Sequence, residues 1–183
     1  ACTTRVANLL GAGSPESARL SARAAVIAGT CVLAVLFVFM QLMRHQLPLV
    51  YTDDPVLQDL MAENFFVASF YIVGDGLCVI NGSVLRGCGL QVMAAKVVLF
   101  SYYVVAIPVA YYAAFYAGMG VPGLAWGITL GTFVHSGIYA VLVSRIDWEK
   151  QSQLAVARAG GTSKAAEQST EKISLLDSES DDD

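Results

Sequence analysis

The chain has 183 residues and a formal net charge of −4, and length alone allows one or two soluble domains. Composition excludes them: 56% of residues are hydrophobic, 14% are charged, and mean hydropathy is +0.58, too apolar for an ordinary globular domain. Neither a basic face nor a basic run marks it as a nucleic-acid binder.

The first residues, ACTTRVANLLGAG, read as the end of a helix stopped by Gly11 and Gly13, and Ser14-Pro15-Glu16 opens the next one. No initiator Met precedes them, so a partial chain is expected. Ala24–Met43 then carries no charged residue, and Asn64–Leu85 carries Asp75 alone. Each run has the roughly 20 apolar residues that cross a bilayer core. Val97–Ser144 contains no Asp, Glu, Lys or Arg. As one helix, at about 1.5 Å per residue, it would be roughly 72 Å long, so it must turn, and the glycines of Ala117–Gly123 allow that. The expected fold class is therefore all-α integral membrane, with four complete transmembrane helices at about 20–46, 58–86, 94–117 and 121–145. These occupy residues 1–149 together with the preceding helix end. Residues 150–183 are polar and acidic and are expected to be a disordered cytoplasmic tail.

Basic residues orient the spans. Arg5, Arg19 and Arg23 precede the first span, Arg86 and Lys96 flank the second connection, and five basic residues follow Ser144. On the alternate side only Arg44 stands, beside Asp53, Asp54, Asp59 and Glu63. The positive-inside rule places both ends in the cytoplasm.

Several patterns carry no chemistry here. Gly118–Gly123 spells G-x-G-x-x-G, but it joins two apolar runs rather than a strand and a helix. Asn81-Gly82-Ser83 is a formal glycosylation sequon inside a span. The four cysteines lack metal-ligand spacing. No nucleophile–base pair is suggested by His45 and His135, so an enzyme is not expected, nor any cofactor. His135 falls within the last span, where an interhelical hydrogen bond is a simpler role than transport.

Small residues recur every four positions at Gly74, Cys78 and Gly82, and again at Gly123, Gly127 and Gly131. Such rows let helix backbones approach where lipid gives no hydrophobic drive. Pro108 removes a backbone donor in the middle of the third span and is expected to kink it. The tyrosines of that span suit the membrane interface, and inward ones can hold an organic cation.

Asp75 is the residue that asks for a function. A carboxylate at a helix centre costs about 2.5–3.5 kcal/mol on insertion scales. Such residues face a bundle interior or a water cavity and mark an ion or proton path. Tyr71 stands one helical turn earlier on the same face, within reach of the carboxylate or of an ion it shares, a proton or sodium.

The segments TTRVANLLGAG, YIVGDGLCVINGSVLRGCG, YYVVAIPVAYY and GMGVPGLAWGITLG, in that order, resemble the C-terminal half of the multidrug and toxic compound extrusion (MATE) transporters, and RIDWEK is similar to eukaryotic members. The resemblance covers about residues 1–149. It implies the end of helix eight and helices nine to twelve of a twelve-helix, two-lobe transporter. It also implies that Asp75 matches the acidic position of helix ten, and Tyr71 a tyrosine found one turn before it in some bacterial members. The expected function is part of a secondary active antiporter that exports organic cations or other xenobiotics in exchange for protons or sodium ions. Its expected partners are membrane lipid, the missing N-terminal lobe and a small organic cation. The alternative is a non-transporting four-span scaffold or truncated regulatory subunit. Glu171–Leu176 spells E-x-x-x-L-L, and Glu171, Leu175 and Leu176 resemble an adaptor-binding sorting signal. Plasma membrane and endosomal or vacuolar membranes are both open.

Overall fold

The computed structural model describes residues 2–158 and 160, and among these every regular element is helical. The chain enters on α1 (Cys2–Gly11) and continues into α2 (Pro15–Met43). A single turn, α3 (Pro48–Tyr51), leads to α4 (Pro55–Gly87). Then come α5 (Gln91–Tyr116) and α6 (Gly120–Ser144). A last helix, α7, covers residues 148–158. Helices α2, α4, α5 and α6 are each long and apolar enough to cross a membrane. They are the four expected spans, with α2 and α4 opening earlier than the apolar runs do. The polar turns that open them explain the difference. Proline begins both helices, and Asp54 caps α4 by accepting a 2.9 Å hydrogen bond from the Val56 amide.

Helix α4 is the spine of the bundle, with its largest interface against α6 and its next largest against α2. Bare backbone permits both contacts, Gly76 meeting Leu33 of α2 while Gly74 and Gly82 face α6. A methyl group at Gly74 would lie 3.1 Å from Thr132 Cγ2, and one at Gly82 would lie 3.1 Å from Tyr139 Cε2. The opposite face of α6 carries Gly123, Gly127 and Gly131. Gly123 meets the backbone of Ala113 and Ala114, Gly127 that of Ala110, and Gly131 the methyl of Ala106. Two rows of small residues therefore interlock, Gly on α6 and Ala on α5. Interleaving of this kind brings backbones into van der Waals contact.

Helix α5 is not α-helical throughout. Phe100–Ala106 and Tyr112–Tyr116 are π-helical, on either side of the α-helical Ile107–Tyr111. The widened turn ends just before Pro108, and the Ile107 amide donates to the Tyr102 carbonyl, five residues back. The expected interruption at Pro108 thus takes the form of a π segment that makes room for the ring.

The tail boundary is corrected. Residues 150–158, expected to be disordered, are helical, with Ser152 buried and Ala155 half-buried. Asp147 caps α7 by accepting from the Lys150 amide at 3.1 Å. Buried Ser152 then donates to the Leu10 carbonyl at 3.1 Å, tying α7 to α1. Around that bond lies a core of Val6, Leu10, Ala18, Ala22, Val84 and Cys88, covered by Trp148 and Ala155. Glu171, Leu175 and Leu176 lie outside the described residues.

Most large side chains of α2 point away from the bundle, among them Val35, Phe39 and Leu42. Apolar surface on this scale suits a lipid environment and not water.

Candidate functional site

Asp75 lies half-buried on α4, one residue beyond the Gly74 contact with α6. Three side chains stand within electrostatic reach of its carboxylate: Tyr71 and Cys78 on α4, and His135 on α6. Tyr71 and Asp75 are brought together by the helical repeat, as expected from their spacing. His135 is brought in by the α4–α6 contact, which no local spacing specifies.

Around these residues the bundle interior is polar. Thr129, Thr132, Ser136 and Tyr139 are all buried on α6 and repeat at intervals of three and four residues. That periodic stripe inside a charge-free run was visible in the sequence and went unread as a site. Each of its members has a partner. Thr129 donates to the Ala125 carbonyl at 2.8 Å, and Thr132 to the Ile128 carbonyl at 3.0 Å. The Tyr139 hydroxyl donates across the bundle to the Ala94 carbonyl at 3.1 Å. Cys78 contacts both the Thr132 carbonyl, at 3.5 Å, and the Ser136 side chain. From α5, the Tyr102 hydroxyl comes within 3.5 Å of Thr132 Oγ1.

His135 is the exception. It is 6% exposed, and neither ring nitrogen has a hydrogen-bond partner among the described residues. Two aromatic rings lie close to it, Tyr139 at 4.2 Å and Tyr102 at 5.8 Å between centroids, both roughly perpendicular. The interhelical hydrogen bond expected of His135 is therefore not made. An unsatisfied buried donor or acceptor costs about 1–3 kcal/mol, so the position is expensive as packing alone. Ser101 Oγ, in the π segment of α5, is likewise buried without a partner.

Two cavities open at opposite ends of the bundle. The first, about 690 Å³, lies at the end bearing Arg19 and Arg23 and reaches inward to Asn81 and Ser136. The second, about 550 Å³, lies at the other end and combines Asp59 and Glu63 with Phe66 and Trp126. There the Arg44 guanidinium sits over the Phe66 ring, 5.4 Å from its centroid. Asn81, the formal sequon residue, is buried and donates to the Leu77 carbonyl. The described residues include no group of three or more His, Cys, Asp or Glu able to hold a metal ion.

A half-buried acid in a membrane span, one residue from a helix contact with a polar stripe, suits a transporter. Comparison with known proteins gives the lineage: residues 1–112 match the family described as MatE. The chain belongs to the MatE family. It is 30% identical to multidrug and toxin extrusion protein 1 of Danio rerio over 160 residues, covering 87% of this chain and 27% of the relative. It is 34% identical to Protein DETOXIFICATION 36 of Arabidopsis thaliana, covering 86% of this chain and 31% of the relative. Among solved structures, the crystal structure of the eukaryotic MATE transporter AtDTX14 superposes with a TM-score of 0.73 at 30% identity, covering 86% of this chain and 35% of that one. This MatE chain thus spans about a third or less of the length of these curated relatives. It is a multi-pass membrane protein with the MATE transporter fold.

Proposed function

We propose that this MatE chain supplies part of a secondary active antiporter that exports organic cations or similar xenobiotics in exchange for protons or sodium ions. The observation that carries the reading is Asp75, the one acid in a long apolar run, half-buried beside Gly74, which packs on Thr132 of α6. Protonation or ion binding at Asp75 changes the charge at the α4–α6 interface. That change is the input a rocking, alternating-access transporter needs. Tyr71 helps to hold the ion, its hydroxyl one turn away. Both chain ends face the cytoplasm, a reading supported by the excess of basic residues at that end of the bundle.

The test uses the chain completed to the length of its relatives, in sealed vesicles, under an imposed proton or sodium gradient. The readout is movement of a small fluorescent organic cation. Asp75→Asn is expected to lower gradient-driven flux by at least about tenfold, since an amide of equal size cannot titrate. Flux that survives the substitution would move coupling to another acid. No flux in either protein, for any gradient, would favour the non-transporting scaffold.

A further inference from the structure

We propose that the cleft between α2 and α6 is a binding site for an ethanolamine phospholipid of the cytoplasmic leaflet. The head lies among the charges at the basic end, and one acyl chain lies along α4. Occupancy of this cleft is independent of the antiport reading above. Two chambers make up the cleft, and they meet at Leu77, which lines both. The inner chamber is the 690 Å³ cavity, with Glu16, Arg19 and Arg23 of α2 on one side and Asp147, Trp148 and Glu149 on another. Beyond Leu77 lies a chamber of about 310 Å³ with no charged residue in its lining. Leu33 and Phe37 of α2, Val73 of α4 and Phe133 of α6 help to form it. Its one hydroxyl, on Thr30, donates to the Val26 carbonyl at 2.7 Å.

Length selects a lipid. At about 1.5 Å per residue, α2 rises roughly 16 Å from Val26 in the inner chamber to Phe37 in the apolar one. Half of a bilayer core of about 30 Å is nearly the same length. The apolar wall is therefore as deep as one leaflet. There the cleft ends in aromatic rings. Phe70 packs edge-on to Phe37 at 5.1 Å and lies 6.1 Å from Trp126 between centroids. Phe70 lines the apolar chamber and Trp126 the outer cavity, so the pair separates them. A path for a solute crossing the membrane would stay open at this point, whereas a slot for one acyl chain closes here.

Charge selects the head. Arg19 and Arg23, one turn apart on α2, are the donors for a phosphate. Neither guanidinium is ion-paired among the described residues. Glu16, Asp147 and Glu149 line the same chamber and make it net acidic, so an anionic head would add charge of the wrong sign. An ethanolamine head brings a phosphate for the arginines and an ammonium for the acids. Choline carries the same charges but has no N–H to donate to a carboxylate. Asn81 and Ser136, deeper in the chamber, put polar side chains where the glycerol esters lie. Trp148 stands at the level of the heads, a depth that indole rings favour in membranes.

The experiment uses the chain completed to the length of its relatives, purified in mild detergent and observed by native mass spectrometry. Phosphatidylethanolamine, phosphatidylcholine and phosphatidylglycerol of equal chain length are added in competition. Wild type is expected to retain one ethanolamine lipid with about tenfold preference over either competitor, the scale of a charge-assisted contact. Arg19→Gln combined with Arg23→Gln is expected to remove the preference. Ala34→Trp, which fills the apolar chamber from an exposed position, is expected to remove the lipid itself. Arg5→Gln, outside the cleft, is the control and should retain lipid as wild type does. A photoreactive diazirine on the acyl chain should label residues 30–37 and 70–77. Equal retention of the three lipids, preference for phosphatidylglycerol, or label elsewhere overturns the site. So does the absence of any retained lipid, which would mean that another helix of the full transporter fills the cleft. Displacement of the lipid by a fluorescent organic cation would assign the cleft to substrate and overturn the site as well. If the variants do not elute as monodisperse protein, the wild-type preference and the position of the label decide between these outcomes. Flux plays no part in these readouts, so a negative result leaves the antiport reading where it stands.

Discussion

At the scale of single residues, burial decides which side chains react. Cys88 sits in the core at the basic end, 4% exposed, just past the last residue of α4. Burial, and secondarily the nearby Cys2, pushes its thiol up to about 11. The thiolate is the form that alkylates. At pH 8 only about one Cys88 in a thousand is ionised, against roughly a quarter of ordinary thiols with a pKa near 8.5. Maleimide or iodoacetamide is therefore expected to modify Cys88 about a hundredfold more slowly than a free thiol, with the rate rising about tenfold per pH unit. Mass spectrometry of timed reactions checks this, and labelling at the free-thiol rate would refute it. The linkage has a definite sign. The folded-state pKa is raised, so this contribution to stability is whole below the ordinary thiol pKa and is lost as pH rises toward about 11. Residue-level reading of the sequence reaches as far as local partners, such as Tyr71 one helical turn before Asp75. It did less well for His135, whose lack of a hydrogen bond depends on which rings α5 and α6 bring to it.

At the scale of elements, the spacing of small residues sets which helices touch. Rows at intervals of four announced that α4 and α6 belong to a tight bundle, but not which face meets which neighbour. The structure sends Gly74 and Gly82 toward α6, and Gly123, Gly127 and Gly131 toward α5. It also adds the answering row Ala106, Ala110 and Ala114, all buried. Gly127 is the most constrained of these, because a methyl group there would run into the backbone of Ala110. Backbone cannot yield as a side-chain tip can. Gly127→Val is accordingly expected to cost about 1–3 kcal/mol by overpacking, read as a lower unfolding midpoint in detergent. Gly137→Val, where nothing lies within 4 Å of the new carbon, is the control and should leave the midpoint unchanged. Equal effects at the two positions would refute the packing argument. The π turns of α5 belong to this scale too. Pro108 signals an interruption, while its form depends on the neighbours that accept the widened turn.

At the scale of the whole molecule, the two ends of the described chain meet. Helix α7 lays Trp148 and Ala155 over the core that includes Val6 and Leu10, and the Ser152–Leu10 bond joins residues 142 positions apart. Ending the chain at Asp147 would uncover that core and remove the bond. The expected cost is about 2 kcal/mol, from buried apolar surface and one hydrogen bond. Thermal unfolding of the truncated and intact proteins measures it, and an unchanged midpoint would show that α7 adds nothing to the bundle. Composition marked residues from 150 onward as polar tail, yet the first turns of it are held by contacts that composition does not encode.

The sequence by itself determined the class of molecule: four spans, their order and the single misplaced acid. Run length, charge distribution and helical period are all local properties, and bilayer thickness turns them into structure. The segments quoted as resembling MATE transporters were likewise sufficient for the family. Only the tertiary structure decided what stands near Asp75 and Tyr71, because His135 and Tyr102 come from helices distant in sequence. It also decided that α7 folds back on α1. Both depend on the summed packing of several helix faces, which is a property of the bundle and not of any stretch of chain.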